Sequence, residues 1–125
     1  VKRYAAFLGF SAVAILALGA HSLKKVLSTE QLESLTTAAY MQLIHAITLL
    51  FLSHTLDRNH SLARFTLRFM SLGIGLFSFS IYLILLKNLS AMEWMRILWP
   101  ITPLGGVLLL TSWIMLFIHY YKIKE

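Results

Sequence analysis

The chain has no cysteine, which excludes disulfides, thiolate metal sites and a cysteine nucleophile. Charge is scarce: 13% of its 125 residues are Asp, Glu, Lys or Arg, about half the ~25% usual in a soluble domain. Acid is scarcer still. The five carboxylates are Glu30, Glu33, Asp57, Glu93 and Glu125, and none falls inside a long apolar run. A small proton-coupled exporter trades protons against a cationic substrate on a membrane-embedded carboxylate, so that class loses its central residue. Intramembrane aspartyl proteases and carboxylate hydrolases lose their catalytic acids in the same way. Ser, His and Asp are nowhere placed as a nucleophile set, and no phosphate-cradling glycine loop occurs. Proline is confined to Pro100 and Pro103, so it can interrupt the chain in one region only.

What remains is apolar. Hydrophobic residues make up 58% of the chain, and mean hydropathy is +0.75. Disorder is excluded by that much apolar surface. A small soluble domain could not hide it either. Four stretches carry no acid, Lys or Arg: from Tyr4 to Leu23, between Glu33 and Asp57, from Phe69 to Leu86, and between Arg96 and Lys122. Each approaches or exceeds the roughly 17–25 residues that a helix needs to cross the hydrocarbon layer. Barrel strands would be about half as long and would alternate in polarity. The backbone must satisfy its own hydrogen bonds in lipid, which leaves helices. The fold class expected is an all-α integral membrane four-helix bundle, one domain over 1–125, with spans at about 4–21, 35–56, 66–86 and 103–121. The first run also has the layout of a signal peptide, with Lys2 and Arg3 before it and Ala17, Gly19 and Ala20 at its end. Since the chain still carries it, we read it as a retained span.

The linkers carry helix-start signals. Ser28 with Gln31 and Ser90 with Glu93 each fit a capping box, and residues 57–61 (DRNHS) read as a polar turn. Pro100 and Pro103 would each remove a backbone donor from a continuous helix. The alternative is a short interfacial helix over 91–99, with Trp94 and Trp99 at headgroup level. Thr102 would then cap a new helix with Pro103 in its first position. The break would involve Pro103, Gly105 and Gly106, with the two glycines serving close helix packing or, as the alternative, a ligand-facing opening.

The net charge of +6 comes from basic residues scattered at segment ends. They form no stripe that could track phosphates, so nucleic acid is not an expected partner. They act instead as topology determinants and lipid contacts. Lys2, Arg3, Arg58, Arg64, Arg68, Lys122 and Lys124 fall on one side, and Lys24, Lys25, Lys87 and Arg96 on the other. Seven against four puts both termini in the cytoplasm.

The polar residues within the spans form a candidate cluster. Gln42 and His45 are three apart on one helix face, with Tyr40 just before them. Ser78 and Tyr82 are four apart on the third span, with Gly75 preceding. Hydrogen bonding between helices is the plain role for such groups, and a ligand or proton site around His45 is the active one. Trp113, near the middle of the last span, needs a partner for its indole N–H. Haem ligation fits poorly. His45 and His54 are nine apart, roughly 13.5 Å along one helix, and cannot bind one iron from opposite sides. His21 closes the first span on the far side, and the spacings of a compact histidine metal site are missing for His60 and His119 too.

Together these residues carry a resemblance. Ala17-Leu18-Gly19-Ala20-His21, Tyr40-Met41-Gln42-Leu43-Ile44-His45-Ala46, Phe77-Ser78-Phe79-Ser80-Ile81-Tyr82, and Thr102-Pro103-Leu104-Gly105-Gly106 followed by Trp113 resemble, in order and spacing, the family of domain of unknown function 423, the transmembrane protein 256-like small membrane proteins. Phe79 and Ser112 stand where that family usually has glycine. The resemblance implies four spans, an association of bacterial members with envelope integrity, and no reaction. It also implies that His21, Gln42, His45, Ser78 and Tyr82 would be the polar members of any cluster. The function expected is that of a non-enzymatic structural or accessory subunit in a bacterial inner membrane. Membrane lipids and other membrane subunits are its candidate partners, and no cofactor, metal or catalytic residue is expected. The alternative is a module that binds or transports a lipid or small hydrophobic ligand on the Gln42/His45 face.

Overall fold

Small residues at seven-residue steps set the first helix contact. In the computed structural model, which describes residues 1–90 and 100–123, helix α1 (Lys2–Ala20) buries Ala5, Leu8, Ala12 and Gly19. Ala5, Ala12 and Gly19 thus form one line of minimal side chains. That line lets α1 close against α2 (Thr29–Thr55). Between them the chain leaves α1 at His21, passes a 3₁₀ turn over Leu23–Lys25, and re-enters helix at Ser28. The expected capping box forms there. Gln31 N donates to Ser28 Oγ at 3.2 Å, and Ser28 N donates to Gln31 Oε1 at 3.0 Å. α2 starts earlier than the charge-free run, because the box and the polar turn of Glu30 and Glu33 lie ahead of the apolar stretch.

The polar turn after α2 is tied by its own side chains. Asn59 N donates to Asp57 Oδ1 at 2.9 Å, and the Arg64 guanidinium reaches back to the carbonyls of Arg58 and Asn59. Helix α3 (Ser61–Ser90) follows, then α4 (Ile101–Ile123). α4 begins one residue before the expected cap. Leu104 N donates to Pro100 O at 3.3 Å, so the helix opens at Pro100. Pro103 lies in the first turn, where its missing N–H costs no helical bond. Thr102 does not cap: its Oγ1 lies 2.6 Å from Ser80 Oγ on α3, which offers the hydroxyl a partner in the core. The interfacial helix expected over 91–99, with the Ser90–Glu93 box, Trp94 and Trp99, lies outside the described residues.

All four helices are long and apolar enough to cross a membrane. The shortest, α1, has 19 residues, about 28 Å at 1.5 Å per residue. They run up and down. Lys2 Nζ lies 3.4 Å from His54 Nδ1, and the rings of His60 and His119 are 6.3 Å apart, so the starts of α1 and α3 meet the ends of α2 and α4. Close packing follows chain order: α1 on α2, α2 on α3, and α3 on α4 most intimately. The centre is apolar, with Leu49, Leu52, Met70 and Ile74 wholly enclosed, and Leu27, Leu35 and Leu85 gather in a second cluster. Large apolar side chains also face outward, Phe7, Phe10 and Val13 on α1 and Leu110, Ile114 and Phe117 on α4. Hydrocarbon solvates such a surface; water does not.

Complementary glycines set the α3–α4 distance. A Cβ on Gly73 would stand 2.9 Å from Leu109 Cγ, and a Cβ on Gly105 would stand 2.8 Å from Phe77 Cα. Each glycine therefore receives the partner helix directly, and no opening forms at Gly105. Gly106 has only ordinary contact with the Phe77 ring. Gly105→Ala presses a methyl on backbone, and overpacking of this kind costs about 1–3 kcal/mol. Gly9, with nothing within 4 Å of an added Cβ, is the control. Equilibrium unfolding in detergent should show Gly105→Ala clearly destabilised and Gly9→Ala no less stable than the parent.

Candidate functional site: an intramembrane polar network

Gln42 is 3% exposed, in the middle of α2. Its Nε2 donates to Leu8 O at 2.8 Å and to Ser11 Oγ at 2.7 Å, both on α1. Its Oε1 accepts from Tyr82 Oη, on α3, at 2.9 Å. A backbone carbonyl can only accept, so the amide NH₂ must face Leu8, which leaves the oxygen for tyrosine. One side chain thus joins three helices. Ser11 Oγ in turn donates to the carbonyls of Phe7 and Leu8 on its own helix.

His45 serves the other side. Trp113 Nε1 on α4 donates to His45 Nε2 at 3.1 Å, with the rings edge-on at 6.1 Å. Indole is a donor only, so Nε2 must accept. The ring proton is therefore on Nδ1, which lies 2.7 Å from Met41 O on the preceding turn. Three further ties complete the set. Ser78 Oγ donates to Ala38 O at 3.0 Å between α3 and α2. Tyr4 Oη donates to Ser71 O at 3.1 Å between α1 and α3. Ser80 meets Thr102 between α3 and α4. Among the described residues, no fully enclosed side-chain nitrogen or oxygen lacks a partner.

Of the residues proposed from sequence, Gln42, His45, Ser78 and Tyr82 are drawn into this network. Gln42 and His45 share no ligand face: one turns to α1 and α3, the other to α4. His21 stands exposed where α1 ends, and Tyr40 is 53% exposed on the outward face of α2, so neither joins. Sequence reasoning missed Ser11, although it is the lone serine of α1. It missed Tyr4, Ser71, Ser80 and Thr102 as well, because a hydroxyl near an apolar run looks alike whether it faces lipid or a neighbouring helix. The described carboxylates Glu30, Glu33 and Asp57 lie in the first turns of α2 and the turn after it, away from His45; Asp57 lies 4.0 Å from His60 of its own turn. Among the described residues no group of three His, Asp or Glu could hold a metal ion.

These features define a class: a small four-helix membrane protein whose helices are joined by an enclosed polar network. The model of the family described as "Protein of unknown function (DUF423)" matches residues 15–106, and the chain belongs to that family. Similar proteins include the UPF0382 membrane protein of Haemophilus influenzae, 33% identical over 94% of this chain and 90% of its own length. The UPF0382 inner membrane protein YgdD of Escherichia coli is 32% identical over 98% of this chain and 89% of its own. The UPF0382 membrane protein YwdK of Bacillus subtilis is 33% identical over 89% and 87%. No solved structure matches.

If Gln42 joins three helices and Trp113 only two, their removal should differ in size. Interhelical hydrogen bonds in membranes contribute about 0.6 kcal/mol each. Gln42→Leu loses three and should cost about 2 kcal/mol. Trp113→Phe loses one and should cost about 0.6 kcal/mol. Tyr40→Phe should be neutral. Steric trapping or denaturant titration in micelles gives the order, and a Tyr40 effect equal to that of Gln42 would contradict the assignment.

Proposed function

We propose that this protein is a non-enzymatic structural or accessory subunit of a membrane assembly. One observation carries the reading: Gln42, His45, Ser78 and Tyr82 are turned toward one another, toward neighbouring side chains and toward backbone carbonyls, and no fully enclosed side-chain nitrogen or oxygen among the described residues lacks a partner. A catalytic group must be free to meet a substrate in the transition state. His45, the group with the most chemistry to offer, has both ring nitrogens engaged by Trp113 and Met41. The outward faces of α1 and α4, rich in phenylalanine and leucine, supply the surface a membrane partner would meet. The name carried by the Escherichia coli relative supports placement in an inner membrane.

The same reading puts both termini in the cytoplasm. The end that gathers Lys2, Arg3, Arg58, Arg64, Arg68 and Lys122 is the more basic one, and basic loops are retained inside.

Solubilised from native membranes in mild detergent, the tagged chain should migrate as a stoichiometric complex larger than its own 14.2 kDa plus detergent. Recovery as a lone chain from cross-linked membranes would overturn the accessory role. Orientation is tested separately, and the absence of cysteine makes labelling clean. Asn59→Cys should resist an impermeant maleimide on intact cells, and Ser22→Cys should react.

A further inference from the structure

α1 packs along α2 and touches α3 through polar ties, and between these two helices a cleft of about 490 Å³ remains. Its walls are mainly apolar, and the polar residues that line it, the Gln42–Tyr82–Ser11 node, Tyr4, Ser71 and Ser78, bond within the bundle. On α1 the lining runs from Tyr4 to Ile15, about 16 Å along the membrane normal at 1.5 Å per residue. Phe7, Leu72 and Phe79 line it and are 57–63% exposed, so the cleft opens sideways into hydrocarbon.

One end of this cleft is basic. Arg3 lies four residues before Phe7, and Arg68 lies four before Leu72 and seven before Gly75. Both arginines therefore extend the lining faces of their helices by one turn, toward the water interface. Both are exposed, and neither bonds another described residue, in contrast to Arg64, which is held by two loop carbonyls. Each guanidinium presents a planar fork of donors suited to phosphate. Basic pockets between spans on the cytoplasmic side are where anionic headgroups bind.

We infer that the α1–α3 cleft is a binding site for an anionic phospholipid, one acyl chain lying along Phe7, Leu72 and Phe79 and the phosphate meeting Arg3 and Arg68. The occupant follows from two features together. The sideways opening admits a hydrocarbon chain from the bilayer, and the cationic mouth selects the sign of the headgroup. Gln42 does not bind it, since both its donors and its oxygen are engaged within the bundle. The inference is independent of the accessory role: a lone chain that retains this lipid would remove the accessory role and keep the lipid site.

The test uses the full chain equilibrated in micelles with equal phosphatidylglycerol and phosphatidylcholine, read by native mass spectrometry. The parent should retain phosphatidylglycerol with about tenfold preference, the order expected when a lipid charge meets two interfacial arginines. Arg3→Gln with Arg68→Gln should abolish the preference, whereas Lys24→Gln with Lys25→Gln, at the opposite end, should preserve it. Leu72→Trp, which fills the cleft from its exposed side, should reduce retention of both lipids. Inorganic phosphate alone should not compete. Equal retention of the two lipids by the parent would overturn the proposal. So would preference surviving the double arginine change, or undiminished binding in Leu72→Trp.

Discussion

The amide of Gln42 is the interaction on which the arrangement depends. In hydrocarbon an unpaired donor costs several kcal/mol, so a buried glutamine specifies the positions of whatever must satisfy it. Here that is a carbonyl and a hydroxyl on α1 and a phenol on α3. Apolar packing alone cannot supply such a constraint, because lipid tails are as good a neighbour for leucine as another helix is. The glutamine fixes the depth and rotation of three helices at once. The His45–Trp113 pair does the same for the fourth, using a donor with one proton and an acceptor whose tautomer its own helix sets.

Small residues and polar residues divide the work between them. Where helices touch closely, as at the Ala5–Ala12–Gly19 line and the Gly73 and Gly105 contacts, backbone proximity supplies dispersion and no hydrogen bond between side chains is needed. Where they stand farther apart, long polar side chains reach across: Tyr82 to Gln42, Tyr4 to Ser71, Trp113 to His45. Two of these reaches, Tyr4 to Ser71 and Trp113 to His45, join helices that do not follow each other in the chain, α1 with α3 and α2 with α4. This gives the bundle its second dimension.

Much of this was legible in the sequence, and the reason is the solvent. Charge-free runs bounded by Lys, Arg and Asp mark spans because the bilayer excludes charge, and the Ser28–Gln31 box marks a start because its two bonds are local. Gln42, His45, Ser78 and Tyr82 stood out because polar groups are costly within an apolar run. Their partners were not legible. Gln42 and His45 sit three apart and share a stripe in a helical projection, yet α1 and α3 claim one and α4 the other. Which neighbour claims a side chain depends on the order of helices around the bundle, and a hydropathy pattern does not encode that order. Tyr40 and His21 misled for the same reason: polarity near a span marks an outward-facing or terminal residue as readily as an inward one. Thr102 shows a smaller version of the problem. Its hydroxyl could cap α4 or meet Ser80, and only the proximity of α3 decides.

The network and the cleft are consequences of one packing choice. α1 commits its small-residue line to α2, so its other face cannot also close on α3. Two polar ties then hold α1 and α3 at a distance, Tyr4–Ser71 near the basic end and Ser11–Gln42–Tyr82 deeper in. A tyrosine is long enough to bond across a gap that an alanine line would have eliminated. The space between the ties is left to apolar side chains that do not meet, and it opens toward lipid. Closing it would require shorter ties, and shorter ties would draw α1 off α2. The geometry that satisfies the glutamine is therefore the geometry that keeps the cleft open, and the two cannot be varied independently in this chain.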